Sequence, residues 1–280
     1  MKKIALVTDS TADLDEQMKN ELDVHVIPLK VRFKNEEYFD YEISSDEFYR
    51  RLAQEDELPK TSQPSPEDFS NLYRKLLKDY QEVISIHISS GLSGTLNAAN
   101  LAKEELGSRI HIIDSKTISL GLGLMVAESS RNIKEGMSAS QIVKRLSEVR
   151  RNIETLFTVN TLEYLQKGGR IGKVQGIVGT FLNIKPVVRV GDDGIYHTYS
   201  KARSQEKALD SIVQAFRNLA KGRKHVRFAV AHGAAQQAGH YLKEALENAF
   251  QLKTSMFTQV GPVIGVHTGP GTIGAAVQFE

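Results

Sequence analysis

Cysteine is absent from this 280-residue sequence. That excludes disulfides, a thiol nucleophile, iron–sulfur clusters and thiolate zinc sites, and it fits a reducing compartment. A strong charge of either sign is missing too. The 36 Lys and Arg against 34 Asp and Glu leave +2, too small an excess for a dedicated nucleic-acid binder. Long apolar runs are lacking: the nearest to one, Ile118–Ala127, is interrupted by Ser119, Gly121 and Gly123 and falls short of the roughly 20 residues of a membrane span. At the N-terminus only Ile4–Val7 follows Lys2 and Lys3 before Thr8 and Asp9, less than the apolar core of a signal peptide. Hydrophobic content of 40% and a mean hydropathy of -0.30 suit a folded soluble domain. The expectation is a cytoplasmic protein, with at most transient contact with a membrane surface.

Several chemical signatures are missing as well. No G-x-x-x-x-G-K-[ST] loop occurs; Gly168–Lys173 has Val174 where the hydroxyl belongs. Gly269–Gly274 matches G-x-G-x-x-G but is followed by too little sequence for a βαβ unit, so it reads as a turn entering a last strand. The eight histidines include no H-x-x-x-H pair, so no metal is expected. Gly91-Leu92-Ser93-Gly94-Thr95 resembles a nucleophile elbow, but Thr95 stands where the second glycine is required. A serine hydrolase using Ser93, with His232 or His267 as base, remains the alternative reading.

What is present is an alternation of strands and helices through the first half. Strands are expected at Ile4–Val7, Val24–Leu29, Val83–Ile88 and Arg109–Ile113. Helices begin at the capping signals Ser44 with Glu47 and Ser65 with Pro66. That rhythm implies βαβ units and a parallel sheet. In the second half, Gly191-Asp192-Asp193-Gly194 between apolar runs reads as a hairpin, and the apolar stretch Val174–Phe181 as a short helix. The fold class expected is α/β with two lobes: a parallel-sheet, Rossmann-like N-terminal lobe over residues 1–155, and a mixed or antiparallel-sheet α+β lobe over residues 156–280.

Three expected strands of the first half run into turns of one character: Thr8-Asp9-Ser10-Thr11, Ser89-Ser90-Gly91-Leu92-Ser93-Gly94 and Asp114-Ser115-Lys116-Thr117. A fourth cluster, Thr61-Ser62-Gln63-Pro64-Ser65, precedes a helix. Turns after parallel strands lie along one sheet edge, where ligands bind, so these hydroxyls are expected to converge on one cleft. Hydroxyls and free amides at a helix N-terminus suit a small anionic oxygen group, a phosphate or a carboxylate. His267, in an apolar segment with a polar tip, either caps a local turn or donates to that anion. Of the basic clusters, Lys221–Arg227 reads as a solvated face, whereas Lys167, Arg170 and Lys173 lie beside glycines in a turn suited to partner docking.

At these residues the sequence resembles the DegV family. The matching segments are Thr8–Leu14, Thr61–Pro64, Ser89–Thr95, Asp114–Lys116, Tyr164–Arg170, Lys185-Pro186 and His267–Gly271, together spanning about residues 3–279. The resemblance implies a two-lobed α/β fold that binds a long-chain fatty acid such as palmitate, with the acyl chain in an apolar tunnel. By motif it carries the carboxylate site onto Thr61, Ser93 and His267. It implies a non-catalytic carrier with no cofactor, engaged in lipid transport or fatty-acid metabolism, which in some members presents the fatty acid to a separate kinase. Arg170 is the expected contact for such a partner. Neutral hydroxyls without an adjacent Lys or Arg would keep the head group releasable. Affinity would then come from the chain, at about 0.8 kcal/mol per buried methylene before ordering costs.

Overall fold

A computed structural model describes residues 2–177, 184–223 and 225–279. The first sheet has four strands in the order Val24–Ile27, Lys2–Asp9, Tyr80–His87, Ile110–Asp114, all parallel. These strands are apolar on both faces, as helices pack on both sides. The order reverses between Lys2–Asp9 and Tyr80–His87, so the turns after those two strands flank a topological switch point. The second sheet has six strands in the order Tyr196–Ala202, Lys185–Val190, Ile153–Thr158, Ile273–Phe279, Val226–His232, Met256–Gln259. All its neighbours are antiparallel except the last pair. A parallel sheet followed by a mixed one is the expected fold class.

The helix Ser119–Lys134 joins the two sheets. Leu120, Leu122, Leu124, Met125 and Val126 are all buried, between Ile84 and Ile86 of the parallel sheet and Phe157 and Ala276 of the mixed one. A segment apolar all round has to be buried on every side, and the first half of this helix supplies the core that both sheets share. Its one buried acid, Glu128, accepts from Arg131, from Arg145 Nε at 2.7 Å and from Arg227 Nη1 at 2.8 Å. Burial pushes the Glu128 carboxyl up, but Arg145 and Arg131 outweigh it and hold it below its ordinary value. Arg227, expected on a solvated face, stays about a third exposed while its guanidinium reaches Glu128, and the exposed Arg223 donates to Asn152.

Several sequence expectations need correction. The strand expected over Val24–Leu29 is shorter, Val24–Ile27. It stops before Pro28, which lacks the N–H a ladder needs, and Lys30–Phe33 belongs to a separate three-stranded sheet with Glu36–Phe39 and Lys60–Ser62. The apolar segment near His267 is a helix, Pro262–Thr268, started by proline in its first turn. Gly172–Ile177 forms a 3-10 turn; the rest of the helix expected over Val174–Phe181 lies outside the described residues. Ser44 accepts from the Glu47 amide as expected, and Ser65 with Asp68 forms a reciprocal capping box.

Glu128→Gln removes a fully buried charge on which three part-exposed guanidinium groups converge. Because the arginines can rehydrate, urea denaturation should show a loss of about 2 kcal/mol, between the exposed and fully buried cases; no measurable loss would contradict the role given to this cluster.

Candidate functional site

Thr61 and His267 are brought together by the small sheet. Thr61 lies on the strand Lys60–Ser62, paired to Val31. Val31, Phe33 and Phe48 bury their side chains against Val263 and Val266 of the Pro262–Thr268 helix. Gly265 lets that helix lie directly on Phe48 and Tyr49, for a Cβ there would collide with both rings. The result is a 2.9 Å hydrogen bond between Thr61 Oγ1 and His267 Nε2. Ser93 arrives from the turn after Tyr80–His87. Gly94 seats that turn on Gln63, whose side-chain oxygen would be 2.1 Å from an added Cβ.

Thr61, Ser93 and His267 line one cavity of about 30 Å³, with Leu29, Ile88, Leu92, Arg170, Tyr196, Val263 and Ile264. Arg170 is exposed on its outer side, yet it walls the cavity and donates to the carbonyls of Gly168, at 2.8 Å, and Leu92. The expected absence of an adjacent cation therefore does not hold. Loss of solvent, reinforced by the Arg170 charge, pushes the His267 imidazole down to about 4. At neutral pH the ring carries one proton. With that proton on Nε2 it donates to Thr61, leaving the threonine O–H free to donate into the cavity. Nδ1, buried against Gly168 with no hydrogen-bond partner, is then a lone pair, the cheaper group to leave unmatched.

Ile264 lines this cavity and also a second one of about 30 Å³, enclosed by Ile118, Leu120, Phe157, Ala231, Val260, Ala275 and Ala276 among others. The cavity that holds Thr61, Ser93 and His267 and the apolar cavity thus meet at one side chain. Each cavity has room for a water or two, so an acyl chain would enter only as side chains move apart.

The other hydroxyl turns do not converge here. Ser10 and Asp13 line a separate open cleft of about 470 Å³ with Asp40 and Tyr41. Ser115 and Thr117 line a third, of about 50 Å³, with Arg150 and Arg151. Asp9 faces inward: its carboxylate takes His87 Nδ1 at 3.0 Å and the Ile88 amide, and His87 Nε2 lies 2.7 Å from Ser85 Oγ. This Ser–His–Asp array has the connectivity of a catalytic triad, but all three side chains are fully buried and Tyr73 donates to Ser85, so it braces the sheet. Sequence reading missed it because Asp9 and His87 are 78 positions apart. Ser93 Oγ pairs with Thr95 Oγ1 at 2.9 Å, while His267 Nε2 is engaged by Thr61. Among the described residues no cluster could hold a metal ion, and no helix is long and apolar enough to cross a membrane.

The family model described as "Uncharacterised protein, DegV family" matches residues 3–280. A DegV domain-containing protein of Clostridium acetobutylicum is 40% identical over the full length of both chains. Among solved structures, the fatty-acid-binding DegV family protein from Thermus thermophilus is 38% identical, with a TM-score of 0.94 over 99% of this chain and 100% of that one. The stearic-acid-binding protein from Eubacterium ventriosum is 29% identical, with a TM-score of 0.91 over 100% of this chain and 98% of that one.

The low imidazole value has a sign that can be checked. The unfolded chain binds a proton near pH 6.5 that folded His267 refuses until about 4, so this residue's contribution to stability is complete above 6.5 and drains away as pH falls towards 4. The His267 ring resonances should titrate with a midpoint near 4 in the wild type and higher in Arg170→Gln. A wild-type midpoint near 6.5 would contradict this electrostatic picture.

Proposed function

Because the chain belongs to the DegV family, we propose that it binds one long-chain fatty acid, of the palmitate class, with the carboxylate on Thr61, Ser93 and His267. The acyl chain runs past Ile264 into the apolar cavity behind it. The observation that carries this reading is the meeting of a hydroxyl–imidazole cavity and an apolar cavity at that one side chain. The ligands named for the Thermus and Eubacterium proteins support it.

The energetics fit a carrier. A neutral hydrogen bond contributes about 1 kcal/mol net, whereas ten buried methylenes supply on the order of 8 kcal/mol before ordering costs. The chain gives affinity, and the head group gives orientation. Arg170 adds attraction at the mouth without a direct claim on the carboxylate. Arg170 is exposed, its sequence neighbours Lys167 and Lys173 are paired with Glu163 and Asp193, and in this reading it is the contact for an acidic partner, a kinase that phosphorylates the presented carboxylate. The lobes, residues 1–155 and 156–280, act as one unit around the ligand. The protein itself works in the cytoplasm without cofactor or catalytic residue.

Organic extraction of the purified protein followed by mass spectrometry should recover a long-chain fatty acid. Ser93→Ala should weaken binding about fivefold by fluorescence displacement, one hydrogen bond's worth, and Thr61→Ala with Ser93→Ala about thirtyfold. Protein that carries no fatty acid and binds none added would sink the carrier reading, and covalent labelling of Ser93 by a fluorophosphonate would favour hydrolysis instead.

A further inference from the structure

The Thr8–Leu14 motif contributes nothing to the cavity that holds Thr61, Ser93 and His267, yet its last acid reaches two helices that line the ligand path. Asp13 follows the 3-10 turn Ser10–Ala12 in a left-handed conformation, φ 52°, and is 7% exposed. Oδ1 accepts the backbone N–H of Gly261 at 2.9 Å, across 248 positions. Oδ2 accepts the hydroxyl of Ser119. Gly261 is the residue immediately before the Pro262–Thr268 helix, which carries Ile264 and His267. Ser119 is the first residue of Ser119–Lys134 and itself lines the apolar cavity. Ser119 is also left-handed, φ 49°, a conformation that costs a non-glycine residue energy and persists only when its surroundings impose it. A Cβ on Gly261 would sit 3.1 Å from Asp13 Oδ1, so the approach is as close as glycine permits.

We propose that Asp13 is the positioning residue of the ligand site: its carboxylate clamps the start of the Pro262–Thr268 helix to the start of Ser119–Lys134 and so fixes where Ile264 and His267 meet the ligand. That the clamped site receives a fatty acid rests on the function proposed above; the clamp itself does not. Asp13 touches neither the head-group cavity nor the acyl path, and acts through the two helices.

The clamp is chemically adjustable. Burial pushes the Asp13 carboxyl up to about 7; the Ser119 and Gly261 bonds pull it down, and Asp40 and Asp9 add to the rise. Asp40 is itself raised to about 7 by burial. Tyr49 and Tyr196 also face the Asp13 charge, and Asp15, Glu16 and Lys19 share the cleft. Above pH 7 the ionised group accepts from both partners. Below it, one oxygen carries a proton that Ser119 Oγ can accept, and Gly261 is left with a neutral bond about half as strong. Asn at this position keeps both contacts in the neutral form at every pH, since its NH2 can donate to Ser119 and its oxygen can accept from Gly261.

The test uses the full chain with Asp13→Ala, Asp13→Asn and Ser119→Ala, and two measurements. In ligand-free protein, Asp13→Ala should release the helix, and the His267 midpoint should rise from about 4 towards 6.5; Asp13→Asn should restore it, and Ser119→Ala should give a smaller rise if Asp13→Ala does not fold. For palmitate, Asp13→Ala should bind about tenfold more weakly. The wild-type to Asp13→Asn affinity ratio should increase about threefold from pH 6 to pH 8, and the ratio cancels the titration of palmitate itself. An unmoved His267 midpoint in both Asp13→Ala and Ser119→Ala, or a ratio that is flat with pH, overturns the proposal. Wild-type protein that binds no palmitate, with the His267 shift intact, removes the fatty-acid reading and leaves the clamp standing.

Discussion

The hydrogen bond between Thr61 and His267 spans 206 positions, and everything around the site serves to hold its two ends. The strand carrying Thr61 has only three residues, too few to persist alone. It is anchored by pairing to Lys30–Phe33 and by the aromatic cluster beneath. The helix carrying His267 has seven residues and no side-chain cap of its own. It is held by Phe48 and Tyr49 on one side and by Asp13 at its start. An isolated helix of that length would not form. Tertiary packing therefore creates both halves of the bond, and the bond in turn fixes an imidazole that burial and Arg170 keep neutral.

A neutral site suits reversible capture of an anion. A buried fixed cation would carry a large desolvation cost when empty. Hydroxyls and a neutral ring carry less, because each can exchange partners between the protein and a ligand. Arg170 sits where its field reaches His267 while its guanidinium stays exposed and bound to backbone carbonyls. In the proposed reading that arrangement would keep a head group close to solvent and to any partner, with Ile264 between it and the apolar cavity.

Much of this was legible before any coordinates. That Thr61, Ser93 and His267 gather at one cavity was legible by family motif, and the α/β class by the change from strand–helix alternation to a hairpin signal. The small sheet was not legible: its strands have four, four and three residues, and Glu36, Glu37 and Lys60 give no alternating apolar pattern. The Pro262–Thr268 helix was hidden by its brevity and by glycines on both flanks. The expected convergence of all hydroxyl turns failed because a shared sheet edge does not make a shared cavity: the turn at Asp9 is drawn inward by His87, and the turn at Ser115 faces Arg150. The Asp13 contacts were invisible for a simpler reason, since Ser119 and Gly261 lie 106 and 248 positions away.

The central claim is that a fatty-acid carboxylate rests on Thr61, Ser93 and His267. Carbon-13 NMR of carboxyl-labelled palmitate bound to the protein reads that contact directly. The account predicts a single bound carboxyl resonance, displaced from that of free palmitate, which moves again in Thr61→Ala and in Ser93→Ala while the chain remains bound. A bound carboxyl resonance that neither substitution alters would place the head group elsewhere and contradict the account.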